Sequence, residues 1–87
     1  PGTVRSRFYL RLLVEDRPGV LAEVAGALAH HQISISSVIQ HEAPEEQEGN
    51  RVHLVIMTHT AATGAFRAAV AEIDRLGSPS VWYPVGD

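Results

Sequence analysis

The stretch best equipped for chemistry in this sequence is Glu15-Asp16-Arg17-Pro18-Gly19-Val20-Leu21, where a strand-like run gives way to a helix-like one. A short glycine-containing turn from strand to helix leaves the first helical N–H groups unpartnered and points the positive end of the helix dipole outward. A carboxylate can dock at such an end. Gly19 lets a ligand approach the backbone, the Asp16 carboxylate can accept hydrogen bonds from an ammonium group, and Arg17 can assist an anion or face solvent. A free amino acid carries one charge of each sign and suits that set. The same residues also make a plain helix start, with Asp16 as cap and dipole partner.

The other chemistry-bearing residues do not assemble into a reaction centre. Five histidines raise a metal site. His30 and His31 are adjacent and point about 100° apart on a helix, so they do not share an ion. His41, His53 and His59 lie near strand ends without tight ligand spacing, although His53 can approach His41 across a hairpin. No metal is expected. Ser6, Ser34, Ser36, Ser37 and Asp74 form no nucleophile arrangement with a histidine, and there is no Gly-rich phosphate loop. No catalytic residue is expected in this chain. Trp82 and Tyr83 lack basic neighbours and read as packing or interface residues rather than a base-stacking platform.

Composition narrows the partners. The 87 residues fit one domain (1–87), with about residues 1–7 as linker, and a chain this short completes only a thin core. Net charge is −3 and every one of the seven basic Lys/Arg positions is arginine, so no basic stripe is available for nucleic acid. No apolar run approaches the roughly 18 residues of a membrane span. Absence of cysteine removes disulfides and thiolate metal sites. The start, Pro1-Gly2-Thr3-Val4-Arg5, carries no apolar signal region, and a cytoplasmic location is expected.

The elements that must position the turn follow from periodicity. Phe8, Leu10, Leu12 and Val14 alternate, which predicts a first strand with one face in a core. Beyond the turn, Val20, Leu21, Val24, Ala25 and Leu28 share one side of a helical wheel and leave Glu23, Ala27 and His31 toward the other. Pro18 suits the first helical turn. Ile33 to Gln40 predicts a second strand, and Arg51 to Thr58 a third, apolar on both faces and therefore central. Between them Glu42 to Asn50, with four glutamates, predicts an exposed hairpin loop. Ala61 to Leu76 predicts a second helix buried through Ala62, Phe66, Ala69, Val70, Ile73 and Leu76, capped by Thr60 and stopped by Gly77. Val81 to Val85 is a last strand, and Pro84 argues for an edge. The order β-α-β-β-α-β predicts an α+β, ferredoxin-like fold: a four-stranded antiparallel sheet with two helices on one face, the second and last strands at its edges.

Asp16-Arg17-Pro18-Gly19-Val20-Leu21 resembles the signature of ACT domains, small βαββαβ regulatory modules of amino-acid metabolism. Tyr9-Leu10-Arg11-Leu12, the run His31-Gln32-Ile33-Ser34-Ile35-Ser36-Ser37-Val38-Ile39-Gln40 and Leu54-Val55-Ile56-Met57-Thr58-His59 are similar to the carboxy-terminal ACT domain of bacterial homoserine dehydrogenases. The resemblance implies a homodimer through second-strand edges, with the effector between the turn of one subunit and the second strand of the other. On this sequence those positions are Asp16, Arg17, Pro18, Gly19, Val20 and Leu21, and Ser34, Ile35 and Ser36. It further implies threonine as effector, feedback inhibition, and an NAD(P)-dependent catalytic domain elsewhere in a parent chain, with no cofactor held here. Many amino-acid-binding ACT domains carry asparagine where this chain has Ser34, and a hydroxyl reaches less far than an amide. A dimerisation module without an effector, or the ACT domain of another amino-acid enzyme, is the alternative.

Overall fold

The structure, a computed structural model, describes residues 4–42 and 50–86. The expected loop between the second and third strands lies, from 43 to 49, outside the described residues.

Strand β1 (Arg5–Glu15) buries every second side chain, and strand β3 (Arg51–Thr58) does the same. They run antiparallel with Leu12 opposite Leu54 and Leu10 opposite Ile56, so the two buried sets share one face. Strand β2 (Ile35–Glu42) pairs with the far side of β3, with an irregularity between Ile35 and Ser37. Strand β5 (Ser80–Gly86) pairs with the far side of β1. Antiparallel order β2-β3-β1-β5 therefore puts the second and last long strands at the edges, as the periodicity predicts. Edge position also accommodates Pro84, which lacks a ladder N–H.

Two helices, α1 (Val20–His30) and α2 (Thr63–Asp74), cover the buried face. Val24, Ala27 and Leu28 from the first and Phe66, Ala69, Val70 and Ile73 from the second join the strand residues in one core. Phe8 and Phe66 stack with ring centroids 4.1 Å apart, and the Trp82 ring meets both edge-on. Burial of such side chains contributes about 1.5–3 kcal/mol each, which makes this cluster the main support of a small core. Thr58, buried at the end of β3, accepts the Phe8 N–H at 3.0 Å through its hydroxyl. Among the described residues no buried side-chain nitrogen or oxygen lacks a partner.

Three details depart from the periodicity. The inward face of α1 uses Ala27, while Leu21 is 41% exposed. Helix α2 starts two residues later than expected: Ala61–Ala62 form a short strand, β4, against Arg5 and Ser6, and Ala62 rather than Thr60 precedes the helix without a side-chain cap. Pairing with β1, reinforced by Thr63 N–H to Val4 C=O at 2.9 Å, holds the chain extended there. The sheet thus has five strands rather than four, one of them two residues long. At the other end of α2, Gly77 takes φ +86, the left-handed conformation expected of a helix stop, and Leu76 is left 46% exposed.

Candidate functional site

The turn after β1 is built by the backbone. Asp16 donates its N–H to Asn50 C=O at 2.9 Å, and Asn50 Nδ2 donates back to Asp16 C=O at 3.4 Å, which fastens the turn to the start of β3. Gly19 precedes α1 at φ +89, a left-handed conformation that costs other residues more than glycine. Among the described residues no side chain caps the helix, and the exposed Asp16 carboxylate accepts no hydrogen bond. Val20 N–H bonds back to Arg17 C=O at 3.4 Å and Glu23 N–H to Gly19 C=O at 3.0 Å. The N–H groups of Leu21 and Ala22 between them have no partner among the described residues, the arrangement an anion can use.

Arg17 already has a carboxylate. Its Nη1 donates to Glu23 Oε2 at 2.7 Å, which raises the guanidinium pKa and holds the Glu23 carboxyl below its ordinary value. Both side chains are exposed, so the pair is a surface one. Val20 is half-buried and packs against the core, while Pro18, Gly19 and Leu21 face out. A cavity of about 100 Å³ lies behind the turn, against Glu15, Arg17, Val20, Glu23, Arg51 and the Leu76–Pro79 connection. It falls short of the roughly 300–1,000 Å³ of ordinary ligand pockets.

The strand half of the expected site is at the other end of the sheet. Ile35 pairs with Thr58, which lies level with Phe8, eight residues along β1 from Asp16, or roughly 25 Å at strand rise. One chain therefore does not bring the turn and Ser34–Ser36 together. Ile35 packs inward against the core. Ser36 Oγ accepts from Arg7 Nη2 at 3.2 Å, and the same guanidinium donates through Nε to Thr58 C=O at 3.1 Å. Ser34 is exposed, its carbonyl bonded to His59 N–H at 2.8 Å and its hydroxyl unbonded.

One contact escaped the sequence reading. His30 Nδ1 and His31 Nε2 meet the two carboxylate oxygens of Glu72 at 2.9 and 3.2 Å, joining α1 to α2. On the helix-free face, His41 lies directly opposite His53, as the hairpin allows. Among the described residues, no group of three His, Cys, Asp or Glu could hold a metal, and no helix is long and apolar enough to cross a membrane.

Architecture and turn together define a βαββαβ module whose helix start, opened by a left-handed glycine, faces solvent with free N–H groups. The model of the family described as ACT domain matches residues 8–78, and the chain belongs to that family. It is 41% identical over 75 residues to a homoserine dehydrogenase of Methylobacillus glycogenes, covering 86% of this chain and 18% of that protein. Against the homoserine dehydrogenase of Pseudomonas aeruginosa the identity is 41% over 71 residues, covering 82% and 16%. The crystal structure of a homoserine dehydrogenase from Thiobacillus denitrificans superposes with a TM-score of 0.81 at 32% identity, over 98% of this chain and 18% of that one. The chain thus spans less than a fifth of the length of these relatives.

Proposed function

We propose that the chain is the regulatory domain of a homoserine dehydrogenase and that it senses an amino acid, threonine in the first place, at a site shared by two copies. The observation that carries this reading is the open start of α1, where, among the described residues, the Leu21 and Ala22 N–H groups lack partners and the exposed Asp16 carboxylate, in the turn that leads into the helix, accepts no hydrogen bond. The first can receive an α-carboxylate and the second an α-ammonium. Topology supports the second copy. β2 runs parallel to β1, since both are antiparallel to β3. Antiparallel pairing of two β2 edges about a twofold axis would carry Ser34–Ser36 of the partner to the Gln40–Glu42 end, level with the turn. Hydride chemistry and any NAD(P) would belong to the rest of the parent enzyme. Binding across two subunits would favour one dimer arrangement, and coupling of about 1–3 kcal/mol suffices for feedback inhibition.

The test is calorimetric titration of the dimeric chain with threonine, serine, isoleucine and methionine. Threonine should bind, and both Asp16→Ala and Gly19→Val should weaken it. Absence of heat from all four at millimolar concentration overturns the sensor reading. A second reading, a dimerisation module without effector, is favoured by the engagement of Ser36 with Arg7 and by the small cavity behind the turn. It expects the same dimer with no response to any of the four.

A further inference from the structure

We infer that the helix-free face of the sheet carries a second, separate site, for a tetrahedral dianion such as a phosphate ester or sulfate, formed by Tyr9, Arg11, His41 and His53 around Val55. Register puts these five residues together. Val55 pairs with Arg11 on β1 and with Ile39 on β2, while His53, one rung on, pairs with Leu13 and His41. Tyr9 is on the next rung in the other direction. All five side chains project from the face away from the helices, because the alternate set is buried in the core. Valine is the short member of the group, so four longer side chains stand around a low apolar floor. They line a hollow of about 260 Å³.

The donor set decides what such a hollow holds. Arg11 offers up to five N–H donors, each imidazole offers one or two, and the Tyr9 hydroxyl one. No carboxylate is in the ring. Arg11 has no ion-pair partner among the described residues, in contrast to Arg17. Among the described residues of β1 and β3, the carboxylate on this face is Glu15, beyond Leu13 and His53 and in register with Arg51. From β5 the face receives Val81 opposite Arg11 and Tyr83, stacked on Tyr9 at 4.8 Å between centroids. A metal cation would have to approach beside an unneutralised guanidinium, which an anion would instead pair with. Two imidazoles directly opposite each other repel when both are charged. A dianion between them removes that repulsion. The site is then an anion site that strengthens as the imidazoles gain protons. Its side chains project from the helix-free face, away from the helix start, with His41 contributed by the edge strand β2.

Sulfate is the probe, since its charge is constant across the imidazole range. The 87-residue chain is titrated with sulfate against sodium chloride of equal ionic strength, following backbone amide and imidazole resonances by NMR. Saturable shifts centred on Tyr9, Arg11, His41, His53 and Val55 are expected by about 20 mM sulfate. Affinity should be at least about fivefold higher near pH 6 than near pH 8. Arg11→Gln should weaken binding about tenfold, with an unchanged amide spectrum away from the site. Arg67→Gln, on α2, should leave it unaltered. Equal responses to sulfate and chloride, no dependence on pH, or shifts confined to the Leu21 and Ala22 amides would each overturn the proposal. Shifts at Leu21 and Ala22 report on the helix start and shifts at the ring report on this site, so the two sites fail separately.

Discussion

Glu23 and Arg17 set the local balance at the turn. An arriving carboxylate meets a guanidinium already bonded to Glu23 at 2.7 Å, inside the first turn of α1 where a negative charge also competes for the helix dipole. Removing that competitor should help the ligand. Glu23→Gln should tighten threonine by about two- to fivefold, the worth of one exposed ion pair, and calorimetry would show it; an equal or weaker affinity would mean that Arg17 does not face the ligand. Two glycines then separate backbone strain from contact. A Cβ on Gly19 would meet no atom within 4 Å, but the residue is held at φ +89, so Gly19→Ala should cost about 1–2 kcal/mol through conformation alone. Gly26, inside α1 with equally open space and no positive φ, should respond with the opposite sign. Gly26→Ala should stabilise the chain by about 0.5–1 kcal/mol. Urea unfolding of both variants gives the comparison.

Between elements, the clearest polar link is Glu72 with His30 and His31, from the end of α1 to the last turn of α2. The His30 bond is the larger influence and the His31 bond a further one; both hold the Glu72 carboxyl below its ordinary value near 4.5, against a partial opposing effect of desolvation. A carboxyl whose pKa is lower folded than unfolded contributes stability above its unfolded pKa and loses it as pH falls through the folded one. Glu72→Gln should therefore unfold at lower urea than the parent chain near neutral pH, with the gap closing below about pH 4. A gap that stays constant down to acid pH would assign the loss to packing instead. This link was illegible in the sequence, since adjacent histidines and a glutamate some forty residues away meet only through helix packing. The long elements were legible because Phe8 to Val14 and Val52 to Ile56 alternate without interruption. Where reading by residue type failed, geometry was the reason. Leu21 is more apolar than Ala27, yet Ala27 completes the stripe begun by Val24 and Leu28, whereas Leu21 projects from the exposed first turn. Strand β4 escaped notice because two alanines carry no periodicity, and their pairing depends on Arg5 and Ser6 at the far end of the chain. Likewise the strand-to-helix turn that ends in Gly19 was readable from local residue types. The ring around Val55 was not, since it exists only through the cross-strand register.

For the whole molecule, the proposed two-chain sensor depends on the β2 edge. The strand leaves Val38 38% exposed on the helix side and Ile39 51% exposed on the helix-free side, and from Ser34 to His41 the edge carries no proline, lysine or acidic residue. Native sheets normally protect open edges with such residues, so an edge lacking them is suited to pairing. The thin core of a chain this short gains from the same contact, because pairing buries surface that one copy cannot cover. A charge placed there isolates the edge from the fold. Ile39 pairs with Val55 on the helix-free face, outside the core, so Ile39→Lys should fold normally while setting like charges on neighbouring rungs of the two β2 strands. Sedimentation velocity should show a dimer for the parent chain and at least about tenfold weaker association for the variant, equivalent to about 1.4 kcal/mol. Threonine heat should fall with the dimer, since each site would draw its two halves from different copies. A variant that still dimerises would place the interface on another surface. A monomeric variant that still binds threonine would put the whole site within one chain, at the small cavity behind the turn.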